Sequence, residues 1–169
     1  MSKRINLEKG DVFELTLPDG RFGYGVIVRK GKLKGGGTPY IAILKSAYGV
    51  RPDLAKFADD EVALAGWTMD SLIYQGRWTV ISRGVPLPAV PFPNFKTLIN
   101  GAVWTTDVDG TPLDIATPIE RELLDNRWRS SALLYQDAFE ASHGLGDWRP
   151  YFDKFTPAYA RLRITRPIR

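Results

Sequence analysis

Cysteine is absent from all 169 residues, and His143 is the only histidine. Neither disulfides nor thiolate metal sites are available, and the absence of thiols fits a reducing compartment. No pair of histidines offers metal-ligand spacing, so only carboxylates and carbonyls remain for any metal, and no cofactor is expected. A Ser-His-Asp arrangement would have to use His143, which sits beside an expected helix stop with no nucleophile motif around it. The expected role of His143 is a helix-end residue favoured by the helix dipole. Long apolar runs are missing too: no stretch approaches the roughly 20 residues that span a bilayer. The opening MSKRINLEKGD lacks the apolar core of a signal peptide. A soluble cytoplasmic protein with no membrane partner is expected.

What is present points to a packed core. Hydrophobic residues make up 44% of the chain and aromatics 12%, with five tryptophans, eight phenylalanines and seven tyrosines spread from Phe13 to Tyr159. A chain of this length and content predicts a single domain over residues 1–169. The net charge is +4 and the calculated pI near 9.4. The charges are mixed along the chain: Lys30, Lys32, Lys34, Arg127, Arg129, Arg161, Arg163, Arg166 and Arg169 against Asp59, Asp60, Glu61, Asp107, Asp109, Asp114, Glu120, Glu122 and Asp125. That pattern reads as a solvated surface.

The clearest local pattern is a hairpin over residues 12–29. Phe13, Leu15 and Leu17 alternate with Val12, Glu14 and Thr16; Pro18, Asp19 and Gly20 form a turn; Phe22, Tyr24, Val26 and Val28 resume the period of two. Gly23 and Gly25 leave bare backbone on one face, where the strand bends or another segment approaches closely. Tyr40–Leu44 reads as a third strand after the glycine-rich 35–37 loop, with further strands over 66–74 and 77–82. Residues 54–64 fit either a short helix or an excursion across the sheet. Pro86, Pro88, Pro91 and Pro93 exclude a central strand or helix interior over 85–95, which reads as an extended strap packed by Leu87, Val90, Phe92 and Phe95. Ala102–Thr106 and residues 113–116 bracket an Asp-Gly turn at Asp107, Val108, Asp109 and Gly110, without the later oxygen ligands of a calcium loop. One strong helix is predicted at about 131–142, with Leu133, Leu134, Ala138 and Ala141 on its apolar face and Gly144 as its stop. A turn of helix after Pro150 and a basic strand over 159–168 close the chain.

Gly10, Asp11, Phe13, Leu17, Asp19, Gly20, Tyr24 and Gly25, with Gly76, Trp78, Ile81, Pro86 and Leu87 further on and Pro93 and Phe95 after them, resemble the immunity protein 26 family of small bacterial proteins. The resemblance implies a non-catalytic inhibitor that neutralises a toxin encoded beside it, and these motif residues are mainly structural. The expected fold is β-rich α+β: a strongly bent, partly closed antiparallel sheet of SH3-like barrel character with one main helix packed on it. Should the toxin be a nuclease with a basic cleft, the candidate contacts are Asp107, Asp109 and Asp114, or Asp59, Asp60 and Glu61, because carboxylates can occupy phosphate sites. The alternative is a small barrel that binds nucleic acid itself through Lys30, Lys32, Lys34, the C-terminal arginines, Tyr24 and Tyr40. An enzyme is disfavoured by the poor titratable inventory. The sequence leaves the oligomeric state open.

Overall fold

The computed structural model describes residues 6–31 and 38–166. In chain order the strands are β1 Val12–Thr16, β2 Phe22–Arg29, β3 Tyr40–Leu44, β4 Val62–Trp67, β5 Trp78–Ser82, β6 Phe95–Ile99, β7 Ala102–Thr106 and β8 Pro112–Ile115. The helices are α1 Ser71–Tyr74, α2 Pro118–Leu123, α3 Ala132–Ser142 and α4 Pro157–Arg161, with 3-10 turns at Leu54–Asp59 and Pro150–Phe155. The chain divides into two compact units, one comprising the residues up to Val90 with Arg129–Thr156, the other Pro91–Trp128 with the chain from Pro157 onward.

The first unit is an antiparallel sheet in the order β4-β3-β2-β1-β5. Its centre is the expected hairpin: Phe13 pairs with Gly25, Glu14 with Tyr24 and Leu15 with Gly23. Gly20, at φ +85°, completes the turn, and its amide donates to the Leu17 carbonyl at 2.9 Å. On one face Phe13 stacks on Trp78, ring centroids 4.7 Å apart, and its ring fills the place a Cβ at Gly25 would take, 2.1 Å away. A Cβ at Gly23 would meet the Phe139 ring of α3 at 2.3 Å, so the bare backbone admits the helix. The opposite face gathers Val12, Tyr24, Val26, Leu44 and Phe57, with Leu54, Val85 and Leu87 against them. The ambiguous 54–64 stretch is thus a 3-10 turn, capped by Asp53, that lays Phe57 on the sheet before β4 begins.

Several expectations are corrected. The sheet is open, with β4 and β5 as its edges and no barrel closure among the described residues. The strand expected over 66–74 ends at Trp67: Thr68 leaves the sheet to bridge Ser130, and residues Ser71–Tyr74 coil into α1. Helix α3 starts on its Ser131 cap as expected and ends at His143 before Gly144, at φ +75°. Its buried face is Ala132, Tyr135, Ala138 and Phe139, however, while Leu133 is exposed. The aromatics decide this, because Tyr135 and Phe139 bury more area than the leucines. Tyr135 stacks on Phe155, ring centroids 4.2 Å apart.

The second unit is the antiparallel sheet β6-β7-β8 with α2 and α4. The expected Asp-Gly hairpin joins β7 to β8, and Asp107 Oδ1 accepts from the amides of Asp109 and Thr111 at 2.9 and 2.8 Å. The closing strand over 159–168 is contradicted: Pro157 opens a helix that runs to Arg161, and just beyond it the Arg163 guanidinium sits 3.3 Å from the Tyr159 ring centroid. Pro157 presets the helical φ and Ala158 and Ala160 favour the helix, which outweighs the alternating pattern. Beyond it the chain is clamped rather than paired. Asn94 Oδ1 accepts from the amides of Thr165 and Arg166 at 2.8 and 3.0 Å, and Arg166 forms a bidentate pair with the buried Glu120, 2.9 Å at both nitrogens.

Candidate functional site

The motif residues of the first hairpin build scaffold. Gly10 stands at φ +87° with the Val85 carbonyl 3.0 Å from where a Cβ would be, so the strap crosses tightly over it. Asp11 is buried, its Oδ2 accepting from the Glu8 amide at 2.9 Å. Phe13, Leu17, Tyr24 and Trp78 are buried, Gly25 accommodates Phe13, and Asp19 pairs with Arg21 at 2.7 Å. Gly76, at φ +73°, ends the turn after α1, and Pro86 is an exposed member of the strap.

A polar cluster interrupts the apolar face of this sheet. Glu14 lies mid-strand at 7% exposure. Tyr24 Oη donates to its Oε2 at 3.0 Å, and Arg51 closes a bidentate pair, Nε to Oε2 at 2.8 Å and Nη2 to Oε1 at 2.9 Å. These arginine bonds hold the Glu14 carboxyl below the usual carboxylate range against the opposing effect of burial, while burial first and then Glu14 push the Tyr24 phenol up. The guanidinium carbon of Arg51 sits 4.6 Å from the Phe22 ring centroid. The loop that carries Arg51 is tied down: Phe22 and Tyr48 exchange backbone hydrogen bonds at 2.8 and 2.9 Å, and Asp60 accepts from Ser46 Oγ at 3.0 Å. At its tip Val50 is 82% exposed.

Asp59, Asp60 and Glu61 therefore stand beside this loop, where the 3-10 turn runs into β4. Asp59 is exposed, Asp60 is engaged by Ser46, and Glu61 pairs with Lys45 at 2.8 Å. The other acidic candidates lie in the second unit. Asp107 is spent on its own turn, and Asp114 pairs with Arg166 at 2.8 Å. Asp109 is partly buried in the same turn.

Tyr24 and Tyr40 are both buried, which removes the two aromatics named for a nucleic-acid stacking groove. Lys30 pairs with Glu8 at 2.7 Å; Lys32, Lys34, the 35–37 glycines and Arg169 lie outside the described residues. His143 stacks edge-on against Phe139, and burial, reinforced by Arg21, holds its imidazole below the ordinary value. His143 does close α3 as expected, but its imidazole is held down rather than raised. Among the described residues no group of three or more His, Asp or Glu is arranged to hold a metal ion, and no helix is long and apolar enough to cross a membrane.

The Glu14–Arg51 cluster escapes sequence reading because its members are 37 residues apart. In the sequence Glu14 only alternates with Phe13, Leu15 and Leu17, and nothing local marks the face it occupies as the one covered by Phe57 and the strap.

No match to this chain is found among curated proteins or among solved structures. A family model does match: that of immunity protein 26, over residues 8–97, which takes in the whole five-stranded sheet and the strap. The chain belongs to the immunity protein 26 family.

Proposed function

We propose that this protein binds a cognate bacterial toxin in the cytoplasm and neutralises it stoichiometrically, by covering its active surface and without catalysis. The family match over residues 8–97 carries this reading, since the family is one of immunity proteins. The make-up of the site agrees with it: Glu14 is engaged by Arg51, Asp60 by Ser46 and Glu61 by Lys45. A nuclease with a basic cleft suits the acidic run Asp59, Asp60 and Glu61, which lies within the family-matched span. The second acidic set, Asp107, Asp109 and Asp114, is a weaker candidate because it lies outside the family-matched span.

The test is capture of the toxin encoded by the adjacent gene on the immobilised chain. A complex near equal stoichiometry that survives about 0.5 M salt, where exposed charge attraction is largely screened, supports occlusion through a packed interface. Recovery of nucleic acid instead of the toxin would overturn it. Asp59→Lys with Glu61→Lys is expected to slow association by about tenfold at low salt and to do little at 0.5 M, because exposed interface charges act mainly on encounter. Unchanged association in stopped-flow mixing would remove this surface from the interface.

A further inference from the structure

We propose that the Val50–Arg51 loop tip is the central anchor of the toxin interface, with Arg51 as a pre-set binding residue and Glu14 and Tyr24 as the residues that position it. The proposal rests on the immunity reading and names the surface and the partner chemistry that reading leaves open.

The argument starts from a cost. A carboxylate at 7% exposure in the middle of a strand loses most of its hydration, a cost that a partner left largely in water repays only in part. The same face holds Val12, Val26 and Leu44, so an apolar residue at position 14 would extend the core. The arrangement holds the guanidinium in a fixed place. Arg51 keeps 66% of its side chain exposed although Nε and Nη2 are both engaged by Glu14 and one face of its plane lies on Phe22. A planar group held on one edge and one face presents its remaining edge, Nη1, and its other face in a single orientation. An arginine usually loses rotamer freedom on binding, and here that loss has been taken during folding.

The surroundings select the partner. Between Lys45 and Glu61 the chain carries Asp53, Asp59, Asp60 and Glu61 against Lys45, Arg51 and Lys56, and Glu14 adds a further carboxylate. This excess of negative charge repels a polyphosphate backbone and favours a basic protein surface. At its centre that surface must offer an acceptor, a carboxylate or a main-chain carbonyl, to the Nη1 edge, beside a shallow apolar contact for Val50. Arginine at the middle of an interface with a polar rim is the composition in which binding energy concentrates.

The experiment is calorimetric titration of the purified adjacent-gene product with the wild-type chain, Arg51→Lys, Val50→Asn and the double variant Glu14→Gln with Arg51→Met, each also followed by thermal melting. The double variant removes both charges together, so no buried carboxylate is left unpaired, and its melting midpoint is expected within a few degrees of wild type. Its affinity is expected to fall about 100-fold, as for loss of a hot-spot arginine. Arg51→Lys keeps the charge but not the fork, and Val50→Asn changes only the exposed tip; each is expected to weaken binding about tenfold, and they decide the matter if the double variant does not fold. Wild-type affinity in these variants overturns the anchor while leaving the immunity reading intact. Failure of the wild-type chain to bind the product overturns that reading, and the anchor with it. Binding of polyuridine that the double variant loses would also overturn the proposal, since it would make Arg51 a phosphate contact.

Discussion

Phe13→Ala is expected to destabilise the first unit by about 4 kcal/mol, the cost of deleting a fully buried aromatic ring whose neighbours cannot close the gap. Phe13 is 0% exposed, and its ring is held between the Trp78 indole and the bare backbone of Gly25. Trp78 is itself fixed, donating from Nε1 to Gln136 of α3 at 3.0 Å, so neither wall can move without shearing the sheet from the helix. Urea denaturation followed by tryptophan fluorescence reads the effect as a lower midpoint at unchanged slope. A loss below about 1 kcal/mol would mean that the cavity collapses, and that the glycine opposite does not define the ring's seat.

The second large effect concerns the other unit. Glu120→Ala removes two things at once, because one carboxylate serves both. Its Oε2 accepts from the Thr117 amide at 2.8 Å, returning the bond that the Glu120 amide donates to Thr117 Oγ1, and the same group takes the bidentate grip of Arg166. The expected cost is on the order of 2 kcal/mol, about 1 kcal/mol of it from the lost cap. The grip of Arg166, with the Thr117 bonds added, holds the Glu120 carboxyl down to about 2 against the opposing effect of burial. A carboxyl depressed in the folded state contributes stability that is complete above its unfolded value near 4.5, and loses it as the pH falls toward about 2. Glu120→Gln should therefore approach wild-type stability as the pH is lowered through that window, while at neutral pH it stays clearly below. Parallel stability curves for the two proteins between pH 2 and 7 would contradict this account.

The contrast between the two units shows what a sequence discloses. The first hairpin was legible to the residue, since its alternation, its Pro-Asp-Gly turn and its paired glycines all express local geometry. The cap and stop of α3 were legible for the same reason. The second unit carries local signals of equal quality. Asn100 and Gly101, at φ +47° and +80°, make the two-residue turn between β6 and β7, and Thr117-Pro-Ile-Glu120 is a complete capping box for α2. Other features were not legible at all. That Tyr24 and Tyr40 are buried depends on which face of the sheet each element covers. That Asp107 and Asp114 are engaged depends on a turn closing and on an arginine more than 50 residues away.

The acidic residues illustrate the functional side of the same limit. In the sequence the two acidic sets were equivalent candidates. In the fold Asp107 and Asp114 are taken up by their own turn and by Arg166, while Asp59, Asp60 and Glu61, the last two engaged by Ser46 and Lys45, stand beside a pair whose carboxylate is buried and whose guanidinium is exposed. Such a difference arises from pairing over long sequence distances, which residue patterns do not record.

The central claim, stoichiometric neutralisation, is tested most directly by titrating the purified chain into a fixed concentration of the active adjacent-gene toxin, well above the dissociation constant, and reading residual toxin activity. Occlusion predicts a straight-line fall that reaches zero at one equivalent and does not deepen with time. Full toxin activity at several equivalents would contradict the account, and so would complete inactivation at a small fraction of an equivalent, which would mark the protein as a catalyst.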